Sequence, residues 1–544
     1  MTQLTEFQRE IILNEEDKQN YFWVQDDVHL AHAVSPLFAS FQIPAMTKGT
    51  KTAFENLKMP LRQFMMKLAD GRLYQATLPH EGDMPSRIRE HQELVGPLFP
   101  IQKQRLMDSV EHIFSPFYRQ LDAYRSQTAT LDEAKQRVEE LFAFYEKAWQ
   151  LHFEIVMPRS GHSMALEELY TRLTNESDAT AVYECLSGVM NKTLETDREL
   201  WKLAVQVKQS AVLEGIFTGF PTGEIVSQLD QQEEGRAFLT GLRAFLDVYG
   251  YRSPNSHEFL DETWIENPNQ VLYMISAYLQ KEYDFEKEYA QIVQKREEKL
   301  LETLAKMPEG EGKQAFIQLH QWALEAWGLD EDHHFYIDAM LPAKSRLFLL
   351  RVGEMLVDAN VVEAPNDIFF LYYDELLDVL SKPTLVSQTI ERRKQEHEQN
   401  KQKNVPPVYG TPPEEVPDDP ILERVFGIKT PDVNEQEKHF SGYAASQGQY
   451  TGVVKVVRGP EDFSKIQAGD VLVCKTTTPP WTVLFSVVGA VVTDAGGILS
   501  HAGTVAREYR VPSVVGTKVA TSVLRDGDIV TVDGTNGVVH FGKQ

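Results

Sequence analysis

Cysteine is nearly absent from this chain: Cys185 and Cys474 are the only two in 544 residues. They lie far apart and without metal-ligand spacing, which argues against a disulfide framework or a cysteine-built zinc site, and both read as small buried hydrophobes. Long apolar runs are missing as well. The longest, near Val483 to Val492, falls far short of the roughly 20 residues a helix needs to cross a bilayer. The first twenty residues, Met1 to Asn20, are acidic and lack the basic-then-apolar order of a signal peptide, so a cytoplasmic protein is expected. Basic residues are outnumbered, 54 Lys+Arg against 80 Asp+Glu, for a net charge of -26. A chain of that sign has no use for nucleic acid or an anionic membrane as partner, because both require a basic face. No Gly-rich phosphate loop or Walker-type motif precedes or interrupts the helical patterns, no internal repeat is visible, and no resident metal site is expected.

What is present is organised in three parts. Residues 1–380 read mostly as amphipathic helices, for example Leu131 to Phe153 and Val271 to Leu304, with apolar residues at helical spacing and charges between them. Residues 381–437 read as a charged helix, Gln388 to Lys403, followed by the proline-rich run Val405 to Pro420, which cannot form regular structure and reads as a linker. Residues 438–544 change character to short valine-rich strands, Asp-Gly and Asn-Gly turns and two short helices, the pattern of a small α/β module. The charge is uneven too: from Lys438 onward there are 10 Lys+Arg against 8 Asp+Glu, which leaves 44 against 72 for the first 437 residues. The fold class expected is therefore multidomain, a large mostly α-helical domain followed by a compact α/β domain.

The most informative residue is His501. An apolar strand, Gly489 to Thr493, leads into Asp494 and the pair Gly496-Gly497, which lets the backbone turn sharply and approach a bulky anion. Ser500 is placed to cap a helix running to about Tyr509, ended by Val511-Pro512. His501 then sits in the first helical turn, where the positive end of the helix disfavours imidazolium and welcomes phosphate. A neutral imidazole there is a nucleophile, and the same site stabilises the anion it acquires. Arg507, about two turns on, can reach phosphate oxygens or pair with a neighbouring acid.

The run Thr493 to Thr517 closely resembles the phosphohistidine signature of the mobile domain of phosphoenolpyruvate-utilising enzymes: Gly-Gly-x-x-Ser/Thr, a histidine at the position of His501, then Ala-Arg-Glu and Pro-x-Val-Val-Gly. The resemblance covers about the last hundred residues, including Ala468-Gly-Asp-Val-Leu-Val and Arg525-Asp-Gly-Asp-Ile-Val; Gly503 departs from it, where alanine is usual. It implies a swivelling domain that carries a phosphoryl group on His501, with Gly496, Gly497, Ser500 and Arg507 around the phosphate. The relatives that load this histidine from ATP carry a separate ATP-grasp region, and others carry a phosphoenolpyruvate-binding barrel; neither pattern is visible here.

The helical region bears its own resemblance, to rifampicin phosphotransferases. Phe245 to Ser253, ending Tyr-Gly-Tyr-Arg, is similar to their Tyr-Gly-His-Arg segment, with Tyr251 where that segment has histidine; Val352-Gly-Glu-Met-Leu-Val is similar to another. The histidine-bearing subunit of phenylphosphate synthase has the same layout with its ATP-binding part on a separate subunit. Glu331-Asp-His-His-Phe-Tyr-Ile-Asp338 resembles a Glu-Asp-His motif of the acceptor region. A hydroxyl attacking phosphohistidine needs a base, and His333 or His334 can serve, oriented by Asp332, with Arg252 and Arg346 on the transferring group. His257, His29 and His32 read as structural. The resemblance thus implies a phosphotransferase component: a partner ATP-grasp subunit, holding ATP and Mg2+, would load His501, and the chain would pass the group to a phenol or small alcohol. A condensing ligase using a phosphorylated intermediate, and a non-catalytic scaffold, are the alternatives.

Overall fold

The computed structural model describes residues 4–176, 178–279, 283–412, 433–434, 439–478 and 481–542. Its backbone divides into two compact units, one made of Met1–His162, Asn255–Asp261 and His333–Asp418, the other of Ser163–Pro254, Glu262–Asp332 and Asp419–Gln544. Of the predicted linker, residues 413–432 and 435–437 lie outside the described residues.

The first unit combines helices with a four-stranded sheet that the helical reading of residues 1–380 did not anticipate, and whose fourth strand, Val408–Tyr409, lies in the proline-rich run expected to form no regular structure. Strands β1 (Trp23–Gln25), β2 (Leu61–Ala69), β3 (Arg72–Pro79) and β4 (Val408–Tyr409) lie in the order β2-β3-β1-β4. The signal was there: β2 and β3 are joined by Asp70-Gly71, both at positive φ (50° and 71°), the two-residue turn whose twist matches antiparallel strands. Helix Pro36–Asn56 starts with Ser35 at its N-cap and buries Phe38 and Phe41, which meet Phe259 edge-to-face. The charged helix of the predicted linker spans Ser387–Gln402 and is not wholly exposed. It buries Ile390, Arg393 and His397, and Arg393 is paired with Glu375, which makes burial of its guanidinium tolerable.

Chain geometry is unusual around residue 334. Leu329–His333 is α-helical, His334–Ala339 is a π-turn, and Met340–Asp358 is α-helical again. In an α-helix, position i+5 lies about 140° around from position i; an i→i+5 turn brings it back close. The π-turn therefore sets Asp338 beside His333.

Leu131–Phe153, in the first unit, belongs to a helix that runs on to Thr174, and in the second unit the expected helix Val271–Leu304 is two helices, Asn269–Leu279 and Phe285–Lys306. Its nine-stranded sheet has the order β5-β6-β13-β12-β8-β9-β10-β11-β7, from β5 (Val433–Asn434), β6 (His439–Ser441), β7 (Tyr443–Ser446), β8 (Gln449–Val456), β9 (Val471–Cys474), β10 (Ala490–Thr493), β11 (Ser513–Val515), β12 (Ile529–Asp533) and β13 (Val538–Phe541). Strands β8 to β11 are parallel and the outer ones antiparallel. Every residue of β9 and β10 is buried, which is why these strands read as unbroken apolar runs and not as alternations. Val454, Val473, Val492, Val514 and Val532 form the centre of that core. A second core, around Tyr170, Tyr183, Phe316 and Trp327, receives Ile498 and Leu499 from the loop that precedes His501. No helix among the described residues is long and apolar enough to cross a membrane.

Candidate active site

β10 ends at Thr493, and the chain turns through Gly496 at φ 96°, a value open to glycine; a Cβ there would lie 2.8 Å from the Ser500 side chain. Ser500 then caps the helix His501–Tyr509, its Oγ accepting from Gly503 N at 3.4 Å, and Arg510 in the left-handed region ends it. The departure at Gly503 has a local cause: a Cβ there would come within 2.5 Å of the Ile498 carbonyl oxygen. Arg507 folds back on the same loop and donates to the carbonyls of Ile498 (2.8 Å) and Ala445 (3.0 Å), so it braces the turn that presents His501.

His501 Nδ1 lies 3.1 Å from Glu331 Oε1, and its Nε2 is buried with no hydrogen-bond partner among the described residues. A carboxylate can only accept, so Nδ1 carries a proton, and in the neutral ring the lone pair is then on Nε2. Glu331, 6% exposed, is held in turn by Thr193, whose hydroxyl donates to Oε2 at 2.6 Å. Thr193 belongs to the first turn of the helix Lys192–Lys208, capped by Asn191, and Asp332 Oδ1 accepts from Lys192 N at 2.7 Å. Two carboxylates at that helix start are favoured by its dipole. Arg252 is buried beside them, donating to Thr196 Oγ1 at 3.0 Å. Burial pulls its guanidinium down to about 10, partly offset by the charge of Glu331.

The far end of the His501 helix is anchored by acids that burial pushes up: Glu508 to about 7, accepting from Gly188 N (2.7 Å) and Trp327 Nε1 (3.2 Å), and Asp197 to about 6, accepting from the hydroxyls of Tyr278 and Tyr509.

The remaining predicted residues lie in the first unit. His333 Nε2 is 3.4 Å from Asp338 Oδ2, while His152 Nδ1 is 2.9 Å from Asp338 Oδ1. His257 and His334 each place a ring nitrogen within 4.8 Å of an oxygen of the same carboxylate. Burial pulls His257 down to about 4 and lowers His152. Burial alone would raise Asp338, but the His152 charge and hydrogen bonds from His152 and His333 hold it well below the usual carboxylate range. Arg346 is buried, donating to the Phe259 carbonyl and lying over the Phe369 ring.

With this geometry in view, residues 152–331 match the rifampicin phosphotransferase fourth domain and residues 466–537 the mobile domain of PEP-utilising enzymes. Over these two segments the chain is similar to the PEP-utilising and rifampicin phosphotransferase families. It is similar to an uncharacterized phosphotransferase, YvkC, of Bacillus subtilis (strain 168), 38% identical over 534 residues, covering 98% of this chain and 63% of that protein. It is 29% identical over 542 residues to a chondramide synthase of Chondromyces crocatus, 95% of this chain and 14% of the other. It is 30% identical over 333 residues to a rifampicin phosphotransferase of Bacillus cereus, 58% of this chain and 36% of the other. The chain thus spans less than two thirds of the length of each of these relatives.

Within this phosphotransferase-like frame, the structure brings His501, Asp332 and Arg252 into one unit and His333, His334 and Arg346 into the other. Reasoning from sequence overlooked Glu331, though it stands next to Asp332 in the same acidic run, and it overlooked Asp338 at the end of that run. It also set His257 aside and did not consider His152. Nothing in a linear pattern pairs residue 331 with residue 501.

Proposed function

We propose that this chain is a phosphohistidine relay that takes a phosphoryl group on Nε2 of His501 and delivers it to an organic hydroxyl. The observation that carries the reading is the pair His501 Nδ1–Glu331 Oε1 at 3.1 Å, which directs the lone pair to Nε2 at the start of a helix. Gly496, Gly497 and Ser500 supply a backbone that tolerates the phosphate, and Glu331 keeps the Nδ1 proton in place when the group arrives and when it leaves. A separate ATP-grasp-type subunit, binding ATP and Mg2+, is proposed as the donor. Residues 438–544 are proposed as the moving carrier, with 381–437 as its linker. Residues 1–380 are proposed to hold the acceptor, for which a phenol or small alcohol is the first choice, with His333 or His334 as proton acceptor and Arg346 as a charge for the transferring group.

Labelling tests this directly. The full chain is incubated with β-labelled or γ-labelled ATP, with and without proteins co-purified from its native extract, beside His501→Ala. Acid-labile label from the β position that requires both the partner and His501 supports the relay. Absence of label under every condition rejects it. Likeness to a chondramide synthase over 95% of this chain keeps a condensing ligase as a second reading; a trapped condensed product, in place of a phosphorylated one, would select it.

A further inference from the structure

Four histidines and one aspartate from three separated stretches of chain meet in the first unit. His152, His333 and Asp338 each offer a ligand atom, all within 4.8 Å of one another, and His257, His334 and Asp338 do the same. Asp338 is common to both triads and is 6% exposed; His152 and His257 are 8% and 5% exposed. The two oxygens of Asp338 face different rings, His152 at 2.9 Å and His333 at 3.4 Å.

A second observation points to a ligand. Nδ1 of His257 is buried and has no hydrogen-bond partner among the described residues. Buried polar atoms in folded proteins are almost always paired, and an unpaired imidazole nitrogen beside a carboxylate and other imidazoles is what a cation site presents before it is loaded. Around one ion with bonds of about 2.1 Å, ligand atoms stand about 3 to 4 Å apart.

We propose that His152, His257, His333, His334 and Asp338 form a binding site for a divalent first-row transition cation of the zinc class. The donor set decides the class: imidazole nitrogens with a single carboxylate suit zinc, cobalt or nickel, whereas magnesium and calcium take oxygen. The five ligands stand at sequence separations that no metal-binding spacing would reveal, and the π-turn His334–Ala339 is what adds Asp338 to the two histidines before it. Metal binding here does not depend on the relay through His501. It does bear on His333: a nitrogen that holds a cation has no lone pair left for a proton, and a hydroxyl bound to the metal loses its proton more readily in compensation.

The test uses the untagged full chain, stripped with chelator and reloaded with Zn2+. Bound metal is measured by mass spectrometry, and affinity by competition with a chromogenic chelator. At least one Zn2+ per chain with Kd below about 1 µM is expected, weakened by about 100-fold or more in Asp338→Asn and His257→Gln, and unchanged in the exposed control His112→Ala. Co2+ loading of the wild type adds a readout that needs no variant: visible d–d bands of a nitrogen-ligated ion, lost on addition of Zn2+. A wild type that retains no stoichiometric Zn2+ and shows no such bands overturns the proposal, as does equal Zn2+ affinity in the folded variants.

Discussion

Removing the carboxylate of Glu331 should disable His501 without touching the nucleophile itself. Glu331 accepts from His501 Nδ1 at 3.1 Å and from Thr193 Oγ1 at 2.6 Å, and it is nearly fully buried. A hydrogen bond to a charged, buried group is worth about 1.5–3 kcal/mol. At about 1.36 kcal/mol per decade, its loss in Glu331→Ala corresponds to roughly a 10- to 150-fold slower transfer through His501. Glu331→Gln should be milder. Its amide can turn its oxygen to His501 and its NH2 to the Thr193 hydroxyl, which preserves the proton on Nδ1 and gives up only the charge. The order expected is therefore wild type, then Gln, then Ala. Single-turnover transfer of label to and from His501 measures the rate, and 15N NMR of histidine-labelled protein reports which ring nitrogen carries the proton, with or without a donor. Wild-type transfer by Glu331→Ala with the Nδ1–H tautomer intact, or a proton already on Nε2 in the wild type, would refute the reasoning.

Other perturbations test other parts of the structure. Glu508 has its carboxyl raised from 4.5 to about 7, so the folded state holds a proton that the unfolded chain gives up near 4.5. Its contribution, about 3 kcal/mol, is present below pH 4.5, declines as pH rises toward 7 and is constant above. Denaturant titrations from pH 4.5 to 7.5 should show a shallower loss of stability in Glu508→Gln than in wild type; parallel curves would contradict this. Gly503→Ala forces a Cβ to 2.5 Å from the Ile498 carbonyl, so despite alanine's better helix propensity it should lower stability by about 1–3 kcal/mol, read as a fall in Tm. Asp332→Ala removes the acceptor of Lys192 N at the start of the helix Lys192–Lys208 and should cost about 1 kcal/mol in chemical denaturation.

Local features were legible in the sequence because their physics is local. Ser500 capping His501–Tyr509, the turn at Gly496 and the largely apolar strands β9 and β10 each depend on residues within a few positions of one another. The hairpin at Asp70-Gly71 was equally local and was passed over because helical periodicity dominated its surroundings. So the sequence by itself determined an α/β module with a histidine at a helix start. Only the tertiary structure decided which carboxylate governs that histidine, since Glu331 and His501 are brought together by packing of distant segments. It also decided that His152, His257 and Asp338 share one buried locus, because burial converts separate polar side chains into groups that must satisfy one another, and no linear spacing encodes that.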